Sequence, residues 1–113
     1  ACYRAYQPTR ETPAMQAAVA ELERLRKEEM PAMRLGDATL TYNTDWKAAI
    51  EAYNMLDIAE ASSKAALMRE ESRGHSYRPE FPQEDPANWT CNIVARNVNG
   101  EMKLETVPVV ELD

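Results

Sequence analysis

From Thr44 to Arg78 the chain carries one sustained helical pattern that stops at a glycine and releases into a stretch crowded with Arg, His and Tyr. Apolar residues recur at Trp46, Ala49 or Ile50, Tyr53, Leu56 and Leu67. A neighbouring stripe of mostly small residues runs through Ala48, Ala52, Met55, Ala59 and Ala66. The two stripes together are wider than a surface helix in a two-layer packing needs. This helix is therefore expected to be covered on more than one side, by two other helices of the chain or by protein the chain lacks. Asn43 or Thr44 is its expected cap and Asp45 suits the positive end of its dipole. Gly74 is expected just past its last turn, with Arg69 and Arg73 favoured at its negative end.

The segments before it set the rest of the helical part. ACYRAYQPTRE is short, aromatic and basic, reading as a strand-like or loop opening around Tyr3, Arg4 and Tyr6, and equally as a segment of a longer protein or as an ordinary frayed terminus. Thr12 is placed as an N-cap with Pro13 at the first helical position, and a helix continues through Met15, Val19, Leu22 and Leu25 or Arg26. Glu21, Glu23, Lys27 and Glu28 form its solvated face. Pro31 is expected to interrupt it soon after Met30. Gly36-Asp37 marks a turn in the following linker, and Leu40, Thr41 and Tyr42 alternate as a short extended run would. Glu60 and Lys64 stand at the helical spacing of an ion pair worth a few tenths of a kcal/mol.

Beyond Arg78 the character changes. Pro79, Pro82 and Pro86 prevent a regular element, while Tyr77, Phe81 and Trp89 give an extended wrap its anchors. A hairpin follows: Ile93 and Ala95 alternate with polar positions, Asn99-Gly100 supplies the turn, and Met102, Leu104 and Thr106 return. Pro108 restricts the second strand to an edge or ends it. The expected fold is mainly α: a helical bundle of two or three helices around a long central one, then a Pro-rich wrap and a small C-terminal β-hairpin. We read residues 1–113 as one domain, helical over 13–78 and extended over 79–113.

Thirteen Lys and Arg against nineteen Asp and Glu give a net charge of −6 over 113 residues, which opposes nucleic-acid binding through a general positive field. No run approaches the roughly 18 apolar residues of a membrane span, and the N-terminus shows no apolar signal core, so direct membrane insertion is not expected and the default location is soluble and cytoplasmic, or the soluble, cytoplasmic face of a membrane-associated complex. Cys2 and Cys91 are far apart and belong to no CxxC pair, which favours two free thiols over a disulfide. His75 is the single histidine and the remaining donors lack metal spacing, so no metal site is expected. Gly36, Gly74 and Gly100 are isolated and form no phosphate loop. Ser62-Ser63 has no histidine partner by spacing and reads as small residues that allow close helix contact. The sequon at Asn88-Trp89-Thr90 is matched in letters only, since a cytosolic chain does not meet glycosylation machinery and Trp89 is better packed than glycan-flanked.

One cluster remains: Arg69, Glu70, Glu71, Ser72, Arg73, Gly74, His75, Ser76, Tyr77 and Arg78. Its arginines are suited to gripping a carboxylate-bearing ligand by bidentate contacts. The same groups also suit an ion-pair network that locks the helix end to a neighbouring surface, or a solvated helix end. The residues leave all three open.

In this stretch the sequence resembles a known family. NMLDIAEASSKAALMREESRGHSYRPEFPQEDPANW followed by VNGEMKLETVPV is similar to the C-terminal domain of succinate dehydrogenase and fumarate reductase flavoproteins, relatives of L-aspartate oxidase and the adenylylsulfate reductase alpha subunit. The resemblance covers residues 44 to 109 well, and the helix from Pro13 to Glu29 agrees in type and position. Its specific part is the ordered series Glu71-Ser72-Arg73-Gly74, Tyr77-Arg78, Phe81-Pro82, Asp85 and Asn88-Trp89. Two departures stand out: Ser76 where the family's Gly-Ala-His-Tyr-Arg pattern has its histidine, and Cys91-Asn92 where a Lys-His pair is usual.

The resemblance implies a parent oxidoreductase of electron transport that binds FAD in a separate domain, whose FAD-binding glycines and substrate residues have no counterpart in this chain. It implies a helical accessory domain without catalytic, cofactor-binding or metal residues of its own, packed against the flavin-binding domain of the same polypeptide and near an iron-sulfur subunit. Arg69, Glu71, Arg73, Gly74, His75, Tyr77, Arg78 and Trp89 then read as a clamp at that contact, and one side of the long helix should expose an apolar patch. The competing readings are an autonomous helical module that takes a small dicarboxylate or a protein at its Arg-rich end, and the corresponding domain of L-aspartate oxidase or the adenylylsulfate reductase alpha subunit.

Overall fold

The computed structural model describes residues 7–110, so the expectations for Tyr3, Arg4, Tyr6 and Cys2 fall outside the described residues. Helix α1 (Thr12–Arg24) begins after Glu11, which is extended at φ −81 and ψ 138. Pro13 lies in the first turn, where its missing N–H costs nothing. The expected Thr12 cap is corrected by one residue: Glu11 holds the cap position without a side-chain bond. Thr12 is inside the helix because its groups are used elsewhere. Its N–H donates to Glu80 Oε1 at 2.7 Å and its hydroxyl accepts from Arg78 Nη2 at 2.6 Å.

After Arg24 the helix widens into a π-helical segment, Leu25–Glu29, closed by the Met30 N–H donating to the Leu25 carbonyl. Helix α2 (Met30–Ala32) carries on from it and the helical backbone ends there, two residues after Met30 as expected, with Pro31 itself inside the last turn. In a regular α-helix the ring meets the carbonyl four residues back, and a widened turn just before it relaxes that geometry. Leu40, Thr41 and Tyr42 form no strand: the chain bends there, and Tyr42 takes φ 52. A lone extended run has no ladder to join, whereas Asp37 offers a local turn by accepting from both the N–H and the hydroxyl of Thr39 at 2.9 Å.

Helix α3 (Thr44–Met68) is capped by Asn43, whose Oδ1 accepts from the Trp46 N–H at 2.8 Å. It packs antiparallel to α1, with Ala66 and Leu67 against Met15 and Ala18 at one end and the Tyr53 hydroxyl donating to the Met30 carbonyl at the other. The buried apolar residues are few: Met15, Ala18 and Leu22 at spacings of three and four on α1, and Leu56 on α3. Ser63 is 2% exposed at this seam, the small residue that lets two helices approach. A fully buried side chain of the Met or Leu type contributes about 1.5–3 kcal/mol, so these four leave little surplus.

The helix ends at Met68, five residues before the expected Arg73, with Arg69 already extended at φ −77 and ψ 116. Gly74 is therefore not its terminal glycine. It takes φ 58 inside a tight turn closed by mutual backbone bonds between Arg73 and Ser76 at 3.0 Å. The cause lies in tertiary partners for Arg69 and Glu71, described below. The Pro-rich stretch is irregular except for a four-residue helix, α4 (Pro86–Trp89), capped by Asp85; the expectation of no regular element there is corrected to this extent. Pro86 starts that turn rather than preventing one.

Strands β1 (Cys91–Val98) and β2 (Glu101–Pro108) pair antiparallel, with Val98 opposite Glu101 and Ala95 opposite Leu104. Asn99 at φ 54 and Gly100 at φ 86 make the two-residue turn whose twist matches paired strands. The strand stops at Pro108 as its lack of an N–H requires. Cys91 is a free thiol.

Candidate functional site

The Glu71 side chain is fully buried, and its carboxylate organises the segment that follows α3. Oε1 accepts from Arg69 Nη1 at 2.6 Å and from Arg73 Nε at 2.7 Å. Oε2 accepts from Arg73 Nη2 at 3.1 Å and from the Asp85 N–H at 2.9 Å. An ionised carboxylate buried this deeply persists only when nearly all its lone pairs are met. The Arg73 guanidinium, opposed by burial and aided by the Asp85 amide and Arg69, holds the Glu71 carboxyl down to about 2. Glu71 in turn raises Arg73 above its ordinary value.

Arg69 uses its remaining donors on the backbone of the wrap. Nη1 also donates to the Trp89 carbonyl at 3.0 Å and Nη2 to the Cys91 carbonyl at 2.9 Å, with the guanidinium 5.3 Å from the Trp89 ring centroid. One side chain thus joins the end of α3, the Glu71 carboxylate and the start of β1. These bonds explain why the helix stops where it does. An Arg69 still in helical conformation would carry its own guanidinium and Glu71 around the helix axis, away from these partners.

Arg78 is 3% exposed and makes the second half of the knot. Nη1 donates to the carbonyls of Leu67 at 3.1 Å and Arg69 at 2.6 Å, filling acceptors that a helix end leaves open. Nη2 donates to Thr12 Oγ1 at 2.6 Å, and the guanidinium stacks over Phe81 at 4.9 Å. Ser72 closes the loop: its hydroxyl accepts from the Arg78 N–H at 2.8 Å and donates to the Phe81 carbonyl at 2.7 Å. Tyr77 is bracketed by the incoming chain, its N–H donating to Pro8 and its carbonyl accepting from the Arg10 N–H, both at 2.7 Å.

Of the residues expected to act together, Arg69, Glu71, Arg73, Arg78 and Trp89 are joined directly or through one neighbour. Gly74 and His75 are exposed at the tip of the turn, and Tyr77 is 47% exposed. The guanidinia of Arg69, Arg73 and Arg78 all point to acceptors of the chain itself. Thr12, Glu80 and Asp85 join the knot although the expected clamp did not include them: Asp85 stood in the ordered motif series without a role there, and Thr12 and Glu80 reach the knot from α1 and the wrap. Among them only Asp85 carried a local signal, three residues before Asn88 and directly before Pro86.

A second polar network went unforeseen beyond its Glu60–Lys64 pair. Glu60 is 5% exposed and accepts from Lys64 Nζ at 2.7 Å and from Arg26 Nε at 2.7 Å; Arg26 also reaches Asp57 at 2.6 Å, and Lys64 lies 3.1 Å from Glu23. Burial pushes the Glu60 carboxyl up, and the bonds from Lys64 and Arg26 outweigh it and hold it below its ordinary value. The signal was present in the sequence: Glu60 lies four residues after Leu56 and seven before Leu67, on the buried stripe. An open cleft of about 550 Å³ separates this network from the hairpin at Ala95–Asn97 and Gly100–Met102. Among the described residues no group of three or more His, Cys, Asp or Glu is placed to hold a metal, and no helix is long and apolar enough to cross a membrane.

Against this geometry the likenesses to known proteins are specific. The family described as the fumarate reductase flavoprotein C-terminal domain matches residues 2–112. The fumarate reductase flavoprotein subunit of Mycobacterium tuberculosis is 34% identical over 101 residues, 88% of this chain and 17% of that protein. That of Haemophilus influenzae is 33% identical over the same shares. Among solved structures, E. coli quinol fumarate reductase FrdA superposes with a TM-score of 0.82 at 28% identity, covering 93% of this chain and 19% of that one. The Mycobacterium smegmatis Sdh1 complex in its apo form gives 0.78 at 30% identity, over 96% and 19%. The chain thus spans about a sixth of the length of the curated relatives it matches. With an ordered motif that builds a buried knot and a family match across nearly its whole length, this chain belongs to the C-terminal domain family of fumarate reductase and succinate dehydrogenase flavoproteins.

Proposed function

We propose that the chain serves as the C-terminal accessory domain of an FAD-dependent oxidoreductase of the fumarate reductase and succinate dehydrogenase type, without redox activity of its own. The observation that carries this reading is the family match over residues 2–112. In this reading the domain packs on the flavin-binding domain of the same polypeptide, close to an iron-sulfur subunit, on the cytoplasmic face of a membrane-associated complex. Residues 1–113 act as one unit, helical over 13–78, with the wrap and hairpin over 79–113.

FAD belongs elsewhere in the polypeptide. Dinucleotides are cradled by clustered glycines between a strand and a helix. Here Gly74 and Gly100 stand in separate tight turns, Gly36 lies in the linker before α3, and the sheet among the described residues is one antiparallel hairpin. The knot has a mechanical role in this reading. Buried Glu71 and Arg78 fix the turn from Arg73 to Tyr77, so that Arg73, Gly74, His75 and Tyr77 meet the flavin-binding domain in one preset shape, with Arg69 and Trp89 bracing it from behind. Preset contact groups lose less side-chain entropy on docking.

The test is to combine the chain with its flavin-binding portion and follow FAD-dependent fumarate reduction and co-sedimentation. Association that restores or raises the reduction rate is expected. The absence of both association and any change in rate would overturn the proposal.

A further inference from the structure

The open cleft between the Glu60 network and the hairpin tip holds about 550 Å³. That volume falls inside the range of about 300–1,000 Å³ occupied by small-molecule sites. Its two walls differ in chemistry. The helical wall is ionic, and nearly all of its charge is spent within the chain: Glu60 accepts from Arg26 and Lys64, Asp57 accepts from Arg26, and Glu23 lies 3.1 Å from Lys64 Nζ. Lys27 is the exception, exposed at the cleft and without an ion-pair partner among the described residues. It stands in the π-helical segment Leu25–Glu29. Such widened turns are rare and occur frequently at functional sites. Here the turn presents two consecutive cations to the cleft, Arg26 committed to the network and Lys27 uncommitted.

The hairpin forms the facing wall. Asn97 stands opposite Met102, and strand alternation puts Ala95 on the same face. Met102 is half-buried and Ala95 exposed, so this wall offers apolar surface. Asn97 uses its Oδ1 to accept from the Gly100 N–H at 2.9 Å, which leaves its NH2 group as a donor. Glu101 alternates onto the opposite face of its strand, as does Arg96, which donates to Glu105.

We infer that this cleft binds a small organic anion with an apolar body, its carboxylate or phosphate head on Lys27 and the Asn97 amide and its body against Ala95 and Met102. A charged donor with no partner of its own, a second donor across the gap and apolar surface between them match such a ligand. A cation finds the carboxylates of the helical wall already taken. A bare inorganic anion gains nothing from Met102. Every residue of the site belongs to this chain, and none of them is part of the knot. The site also lies apart from the apolar residues exposed near the start of α3, Tyr42 at 99% and Trp46 at 54%, which fall to the interdomain contact proposed above.

Hydrogen exchange at the hairpin tip, residues 96–102, tests this in the full-length polypeptide that contains the chain. The root of the hairpin is held by Arg69 through the Cys91 carbonyl, and the tip stands across the cleft from the helices, so a ligand spanning the gap slows exchange at the tip. Benzoate and phenyl phosphate are the probes. Inorganic phosphate carries the charge without the body, and benzamidine the body with the opposite charge. At about 10 mM, above the roughly 1 mM that one charged contact and a small apolar surface sustain, at least about threefold slowing with one or both aryl anions is expected. The more effective of the two identifies the head group. Lys27→Gln and Lys27→Glu should both abolish the effect, and neither disturbs an ion pair or a buried group. Met102→Ser should reduce it while α1 amides keep their rates. No slowing with either aryl anion would overturn the inference. So would equal slowing by inorganic phosphate or benzamidine, or slowing that survives both Lys27 variants.

Discussion

Arg78 donates to Thr12 Oγ1 at 2.6 Å, fastening the start of the first helix to a residue 66 positions later in the chain. The same guanidinium fills the carbonyls of Leu67 and Arg69 at the end of the long helix. One buried cation therefore ties together the start of α1, the end of α3 and the wrap.

Substituting Arg78→Ala removes a buried charge together with its backbone acceptors' partners. A loss of about 3 kcal/mol is expected, since buried carbonyls stranded without donors cost about 1–3 kcal/mol. Thr12→Val removes one acceptor and should cost about 1 kcal/mol, as a side-chain hydrogen bond does. Urea unfolding of both and of the double variant checks this; coupling between the two sites is expected, and strict additivity would contradict the contact.

Glu71 makes stability depend on acid. Its folded-state value lies near 2, below the ordinary 4.5, so its contribution is complete above about 4.5 and is lost as pH falls towards 2. The shift corresponds to about 3 kcal/mol at neutral pH, by 1.36 kcal/mol per unit. A Glu71→Gln variant should be destabilised at pH 7 and show a shallower decline between pH 4.5 and 2, measured as the urea midpoint across that range. Parallel curves for variant and parent would count against the assignment.

The network on the other face of α3 should respond as a unit. Arg26→Met leaves buried Glu60 with Lys64 alone, and a loss of about 1–3 kcal/mol follows from an under-compensated buried carboxylate. Replacing Glu60 by Gln in the Arg26→Met background should recover part of that loss. A double-mutant cycle by thermal unfolding reads the coupling.

Gly100 at φ 86 holds the hairpin turn, and a Cβ there meets no neighbouring atom, so any penalty of Gly100→Ala is conformational rather than steric crowding. The expected cost is about 1 kcal/mol, localised to the hairpin. Amide exchange in β1 and β2 should quicken while that of α1 is unchanged.

Much of the architecture was legible. The hairpin was readable because its turn dipeptide, alternation and terminating proline are local signals, and the helix starts were readable to within a residue because caps and Pro13 act locally. The end of α3 was not. Gly74 and the arginines before it read as a helix terminus, yet the helix stops five residues sooner because Arg69 and Glu71 gain partners in the wrap. Thr12 shows the same rule: its hydroxyl suits a cap, and Arg78 claims it. The exposed side of α3 was foreshadowed by its two stripes, while its position at the Tyr42 and Trp46 end depended on where α1 packs.

By itself the sequence determined the elements, their order, and the residues whose chemistry forms the knot, because periodicity, turn propensity and proline placement are settled within a few residues of chain. Tertiary structure alone decided that Glu71 and Arg78 are buried, which carbonyls and amides satisfy them, and which end of the long helix is left bare. Those outcomes depend on desolvating a charge and meeting its bonds with groups many residues away, and no local pattern encodes where such groups will lie.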